Sequence, residues 1–179
     1  MKKLMVIAVM AAAGFTASSQ AASTGTITFN GEVTATTCDA NVDGQGADAT
    51  INLSTVGANQ LAVRGDTAMR TGFIIGLSNC QGTLQTASAF FQAGSTVDPL
   101  TGRLKNTGGD AQNVSLQLRE NTADENVIVA GDASQSTGAT FYDVSSGSAD
   151  LPYTVEYYAE DPATAGTVTS SVVYSIQYK

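Results

Sequence analysis

The chain has no histidine and no tryptophan among its 179 residues, two cysteines, three prolines, and half as many basic as acidic side chains. The missing histidine removes the commonest general base, the Ser-His and Cys-His nucleophile pairs, and the commonest metal ligand. The missing tryptophan removes the largest ring for stacking on a sugar, and nearly all the Tyr and Phe fall on alternating strand positions instead. Eight Lys and Arg against sixteen Asp and Glu give a net charge of −8, dispersed with no acidic block, which argues against nucleic acid as a partner. No GKS/T or GxGxxG element leads from a strand into a helix, so nucleotide binding has no support.

What resembles chemistry is weak. The adjacent pairs Asp124-Glu125 and Glu160-Asp161 are the candidates for paired-carboxylate hydrolysis, but neighbours on a strand point to opposite faces and neighbours in a turn face water. The stretch Asp39-Ala-Asn-Val-Asp-Gly44 copies the first six positions of a calcium loop. Its twelfth position is Thr50, where that loop needs a bidentate Glu, so the stretch reads as an Asp/Gly turn. Neither a metal nor a cofactor is expected, and the chain is not read as an enzyme.

Long apolar runs are also lacking, apart from one at the start. Lys2-Lys3, an uncharged run from Leu4 to Phe15 and the small-residue stretch Ser18 to Ala22 form the three parts of a secretory signal peptide, read over residues 1–21. The run is well short of the ~20 residues a membrane-crossing helix needs. Its removal takes two basic residues, leaving 6 − 16 = −10 on a mature chain long enough for one domain. In a chain routed out of a reducing cytosol, Cys38 and Cys80 read as a disulfide. Closing a loop of that length stabilises by about 4 kcal/mol in the chain-entropy model.

The mature composition, rich in Gly, Thr, Ser, Val and Ala, suits strands joined by turns. Short apolar runs recur at 49–53, 73–77, 87–91, 114–118, 127–129, 153–158 and 172–178, most of them alternating. Phe73, Ile75 and Leu77 share one face, as do Val114, Leu116 and Leu118. Turn-forming stretches such as Asp43 to Gly46 and Asn106 to Asp110 separate them, and residues 57–69 read as loop. Seven or eight such strands predict an all-β sandwich of two antiparallel sheets.

Both ends alternate. Ile27, Phe29, Gly31 and Val33 fall on every second position just behind the signal peptide, and Val172, Tyr174, Ile176 and Tyr178 do so at the end of the chain. The first segment either packs in its own domain as an opening strand or is lent to another chain. A sandwich must pair or cover its edges, because an open edge presents unpaired amides and carbonyls to any other strand.

The order of Gly25-x-Ile-x-Phe-x-Gly31-x-Val33 ahead of Cys38, Phe73-x-Ile-x-Leu-x-x-Cys80, Tyr157-Tyr-Ala159, and Ala165-Gly-x-Val168 running into Val172-x-Tyr-x-Ile-x-Tyr178 resembles the major subunits of chaperone-usher fimbriae, the type 1 pilin-like family. The resemblance covers essentially all of the mature sequence. It implies an incomplete immunoglobulin-like β-sandwich, the pilin fold, lacking its final strand, over residues 35–179. It further implies an N-terminal donor-strand extension over 22–34, with Ile27, Phe29, Gly31 and Val33 entering a neighbour's groove, and Val172, Tyr174, Ile176 and Tyr178 forming groove and chaperone contact. Only three residues separate the cleavage point from Gly25, a short lead for a major subunit. The partners implied are other copies of the subunit, a periplasmic chaperone, an outer-membrane usher and other fimbrial subunits, in a fimbria at the cell surface that supports adhesion. The alternatives are a minor fimbrial adaptor and a secreted carbohydrate-binding β-sandwich.

Overall fold

Alternating side chains on short segments form strands in the structure, a computed structural model that describes residues 25–31, 33 and 37–179. The expected signal peptide over 1–21 lies outside the described residues, as do positions 22–24, 32 and 34 of the expected extension. The chain divides into two units, Met1–Glu32 and Val33–Lys179, and the sheets belong to the second. Its strands are β1 (Thr37–Val42), β2 (Thr67–Gln81), β3 (Thr86–Phe91), β4 (Leu104–Lys105), β5 (Val114–Glu120), β6 (Val127–Ile128), β7 (Tyr142–Asp143), β8 (Ala149–Ala159) and β9 (Tyr174–Tyr178).

Every pairing is antiparallel. One sheet runs β1-β2-β8-β5-β4, with β6 added to β5, and the other runs β7-β3-β9. In the larger sheet Ile75 lies opposite Leu151, Phe73 opposite Tyr153, Leu118 opposite Val155 and Leu116 opposite Tyr157. Registered pairs point to the same side, so these residues form one apolar face, and Ala87, Ala89 and Phe91 of β3 supply the facing layer. Tyr153 joins the layers: its ring meets Phe91 edge-to-face at 5.1 Å, and its hydroxyl accepts the Ala89 amide at 3.0 Å.

Two expectations are corrected. The run over 49–53 forms no strand, and the first strand of the sandwich is β1, around Cys38. The cause is local: the Gln45 side chain holds Thr50 through both its amide and its carbonyl, where a neighbouring strand would have done so. Residues 67–69, read as loop, open β2 instead, preceded by a single 3₁₀ turn over Ala58–Leu61 that buries Leu61. The Asp43 to Gly46 turn forms as read, with Asp43 and Gly44 at positive φ and the Val42 amide donating to the Gly46 carbonyl at 2.8 Å. The disulfide joins the start of β1 to the end of β2.

The outer face of the large sheet holds a buried carboxylate. Glu156 of β8 accepts from Arg70 Nε at 2.7 Å, from Arg119 Nε at 2.5 Å and from Gln117 Nε2 at 2.7 Å, and Arg70 also pairs with Glu125. Met69, at φ 50°, sits in the β2 bulge just before Arg70. Burial pushes the Glu156 carboxyl up, but the hydrogen bonds from Arg119, Arg70 and Gln117 outweigh it and hold its pKa below the ordinary carboxylate value.

A depressed carboxylate pKa contributes stability that is present above the unfolded-state value and is lost as the pH falls through the folded value. Glu156→Gln is therefore expected to cost about 3 kcal/mol at neutral pH and to flatten the acid limb of the stability curve, measured by chemical denaturation across a pH series. Reducing the Cys38–Cys80 bond is expected to lower stability by about 4 kcal/mol in the same assay.

Candidate functional site

The chain ends on β9, which pairs β3 on one side only. The register Ala87↔Tyr178, Ala89↔Ile176, Phe91↔Tyr174 places three β9 side chains directly beside three β3 residues that are 0%, 3% and 2% exposed. Those β9 residues, Tyr174, Ile176 and Tyr178, are only half-buried, as is Val172 before them. Cross-strand partners on one face of a covered sheet share one environment. Here the inner layer stops being covered between one strand and the next.

The backbone shows the same asymmetry. Thr86 and Lys179 exchange both their hydrogen bonds, and Gln92 donates to Val173, so the alternation of an antiparallel ladder gives Ser88–Gln177 and Phe90–Ser175 as the other bonded pairs. The amides and carbonyls of Tyr174, Ile176 and Tyr178 therefore point away from β3, toward an edge that no strand among the described residues pairs. The far edge of β3 is treated differently. Beyond the two residues of β7, the Gln135 side chain bonds both the amide and the carbonyl of Phe91, and the Tyr153 hydroxyl takes the Ala89 amide. Side chains close that edge where strand is missing, whereas no described residue pairs the β9 edge.

Across from β9 stands the other wall. Asp43 bonds Ile74, so in β1 the amides of Cys38, Ala40 and Val42 face away from β2. The Cys38 amide donates to the Tyr178 hydroxyl at 3.0 Å, and the Tyr174 hydroxyl donates to the Ala47 carbonyl at 2.9 Å. Further along, the Ala163 amide donates to the Leu61 carbonyl at 2.9 Å. The contacts 178–38, 174–47 and 163–61 show two walls running antiparallel, and the first two are bridged by tyrosine side chains. Strands paired directly would lie about 4.8 Å apart and bond through their backbones. Ile51, Leu53 and Val56, on the wall after Ala47, are half-buried against the core. Burial, followed by the nearby Asp48 charge, pushes the Tyr174 hydroxyl pKa up.

The residues singled out in the sequence fall into three groups. Cys38 and Cys80 are bonded. Val172, Tyr174, Ile176 and Tyr178 lie half-buried against the core, the last three on β9 and Val172 just before it. Ile27, Phe29 and Val33 are exposed, Phe29 at 88%, and residues 25–31 carry no strand. The sequence does not single out Ala40 or Val56, and the alternation of Ile51 and Leu53 predicts a strand, whereas all four lie half-buried against the core and 51–56 form no strand. Gln135, which closes the far edge of β3, had no signal in the sequence.

A sandwich one strand short along an apolar groove defines the pilin class of fold. The model of the family described as FimA, type-1 fimbrial protein A, matches residues 53–179, and the chain belongs to this family. It is 45% identical over 161 residues to the major fimbrial subunit SMF-1 of Stenotrophomonas maltophilia, covering 88% of this chain and 94% of that protein. It is 35% identical to the F17 fimbrial protein of Escherichia coli, covering 97% of each. The P pilus rod subunit PapA has the same fold, with a TM-score of 0.60 at 16% identity over 79% of this chain and 99% of that one.

A half-wetted groove makes a prediction for the lone subunit. Ile176→Ala should cost about 1 kcal/mol, because much of that side chain is already in water. Phe91→Ala, one strand away in the sealed layer, should cost about 3–5 kcal/mol. Denaturant midpoints of the two variants measure the difference, and equal large costs would mean that the groove is closed.

Proposed function

We propose that the protein is a structural subunit of a surface fimbria that polymerises by donor-strand exchange, its segment 25–33 filling the groove of the next copy. The carrying observation is the bare β9 edge, with Tyr174, Ile176 and Tyr178 half-covered beside fully buried β3 partners. Ile27, Phe29, Gly31 and Val33 repeat at the same spacing as Val172, Tyr174, Ile176 and Tyr178, four alternate positions against four. At about 3.3 Å per residue each set spans roughly 20 Å.

The energetics favour an exchange. Burying Ile27, Phe29 and Val33 contributes roughly 2 kcal/mol each, and the two open edges add a ladder of main-chain hydrogen bonds. Because the walls are antiparallel to each other, an inserted strand runs antiparallel to one and parallel to the other. Gly31 carries no side chain, so the incoming backbone can approach a wall closely at that position.

The same groove gives the handling partners their chemistry. Before assembly its apolar lining and unpaired amides invite indiscriminate pairing. A periplasmic chaperone that lends an extended strand to Val172, Tyr174, Ile176 and Tyr178 satisfies both, and an outer-membrane usher then exchanges that strand for residues 25–33 of the next subunit. Other fimbrial subunits join through the same groove. The subunit's role in adhesion is mechanical: it builds the fibre on which contacts are made. Membership of a structural pilin family supports a non-enzymatic reading.

The test is self-complementation. Residues 22–34 are moved behind Lys179 through a short linker, which lets them return antiparallel along β9. This form should be a heat-resistant monomer, whereas the chain without segment 22–34 should be markedly less stable and aggregation-prone. Equal stability of the two forms would overturn donor-strand exchange. In the complemented form, Gly31→Val should remove most of the gain.

A further inference from the structure

We infer that Asn30–Gly31 is a site of spontaneous covalent modification, an asparagine poised to deamidate whenever the N-terminal segment is undocked. Asn30 is the one asparagine of nine that glycine follows. Residues 25–31 are exposed and carry no strand, and a side chain added at Gly31 would meet nothing within 4 Å. The Gly31 amide nitrogen is thus unhindered, and its backbone can rotate freely toward the Asn30 side chain.

The reaction needs only water. The Gly31 nitrogen attacks Asn30 Cγ, forming an N–Cγ bond while the Cγ–Nδ2 bond breaks, and ammonia leaves carrying the amide proton. The cyclic imide then takes up water at one of its two carbonyl carbons. Opening at Cγ gives aspartate; opening at the former main-chain carbonyl gives isoaspartate, with the main chain rerouted through the side chain. The sum is amide plus water to acid plus ammonia.

Several other asparagines have their side-chain amides held in hydrogen bonds. Asn106 Nδ2 donates to the carbonyls of Ala111 and Thr167, Asn113 Nδ2 to that of Pro162, and Asn79 Nδ2 to Asp39. The related Asp43–Gly44 pair is locked: Asp43 donates its amide to the Ile74 carbonyl and accepts the Ile74 amide on its side chain. Asn30 has no such hold among the described residues.

The consequence rests on the donor-strand reading. Isoaspartate adds one carbon to the main chain between Phe29 and Val33, so that Ile27 and Phe29 no longer share a two-residue period with Gly31 and Val33. A subunit that waits too long unassembled would lose its plug, while one docked in a groove has the Gly31 backbone held in a ladder.

Purified chain beginning at residue 22 is held at neutral pH and body temperature, and each asparagine is followed by peptide mass mapping, with isoaspartate resolved by chromatography. Asn30 should convert roughly tenfold faster than any other asparagine, as its glycine neighbour dictates. Conversion no faster than at the other positions overturns the site. The self-complemented chain, mapped in parallel, should be protected at Asn30. Heat resistance of that chain without protection would overturn only the link to docking, whereas absence of heat resistance marks failure of the donor-strand reading itself. Aged chain should lose its capacity to be incorporated into polymer, and Asn30→Gln chain should show the same incorporation before and after ageing; equal loss in both would contradict the role given to Asn30.

Discussion

A strand that ends a sheet while its inner face still belongs to a core has two debts: unpaired backbone groups on one side and apolar side chains in water on the other. In this protein β9 carries both, since Tyr174, Ile176 and Tyr178 direct their main-chain groups at an edge that no strand among the described residues pairs, and show their side chains half-wetted. Each unmade backbone bond and each exposed apolar face is small against the core as a whole, but together they are a sizeable part of a stability of about 5–15 kcal/mol. The rest of the structure is arranged around keeping that gap open and in shape.

Three features hold the walls while leaving the gap. The disulfide ties β1 to β2, so the wall opposite β9 cannot peel away. The hydroxyls of Tyr178 and Tyr174 touch the main chain at Cys38 and Ala47, which spaces the walls by a side chain instead of a ladder. Behind them, the Glu156 cluster locks β2, β5 and β8 together from outside, away from the packed inner layer. The closure of the far β3 edge by Gln135 shows that this chain can satisfy a bare edge with a side chain. Among the described residues no side chain does the same at β9, and the proposed donor strand is what would satisfy that edge.

The strands that bury one face were legible because alternation is a direct imprint of the pleat: 73–77, 87–91, 114–118 and 153–158 all lie within strands. Alternation cannot say whether a strand lies on the other side. Ile51 and Leu53 alternate like any strand residue yet pair with no strand among the described residues, so the pattern alone predicts sheet there. Conversely, β1 carries little sequence signal, because Cys38, Ala40 and Val42 are small or modestly apolar and sit among polar neighbours. The half-cover of Val172 to Tyr178 is a property of what is absent next to them, and only pairing in three dimensions exposes it. Residues 25–33 were legible as a strand pattern, but whose sheet they join is a question about two chains.

Donor-strand exchange requires an open β9 edge in the lone subunit and docking of residues 25–33 along it. Amide hydrogen exchange reads this directly at Tyr174, Ile176 and Tyr178, whose amides face the gap, against Ser175 and Gln177, whose amides face β3. In the subunit lacking segment 22–34, the first three should exchange freely and the other two slowly, and a peptide of residues 25–33 should protect the first three. Protection of Tyr174, Ile176 and Tyr178 before the peptide is added, or no change on its binding, would contradict the account.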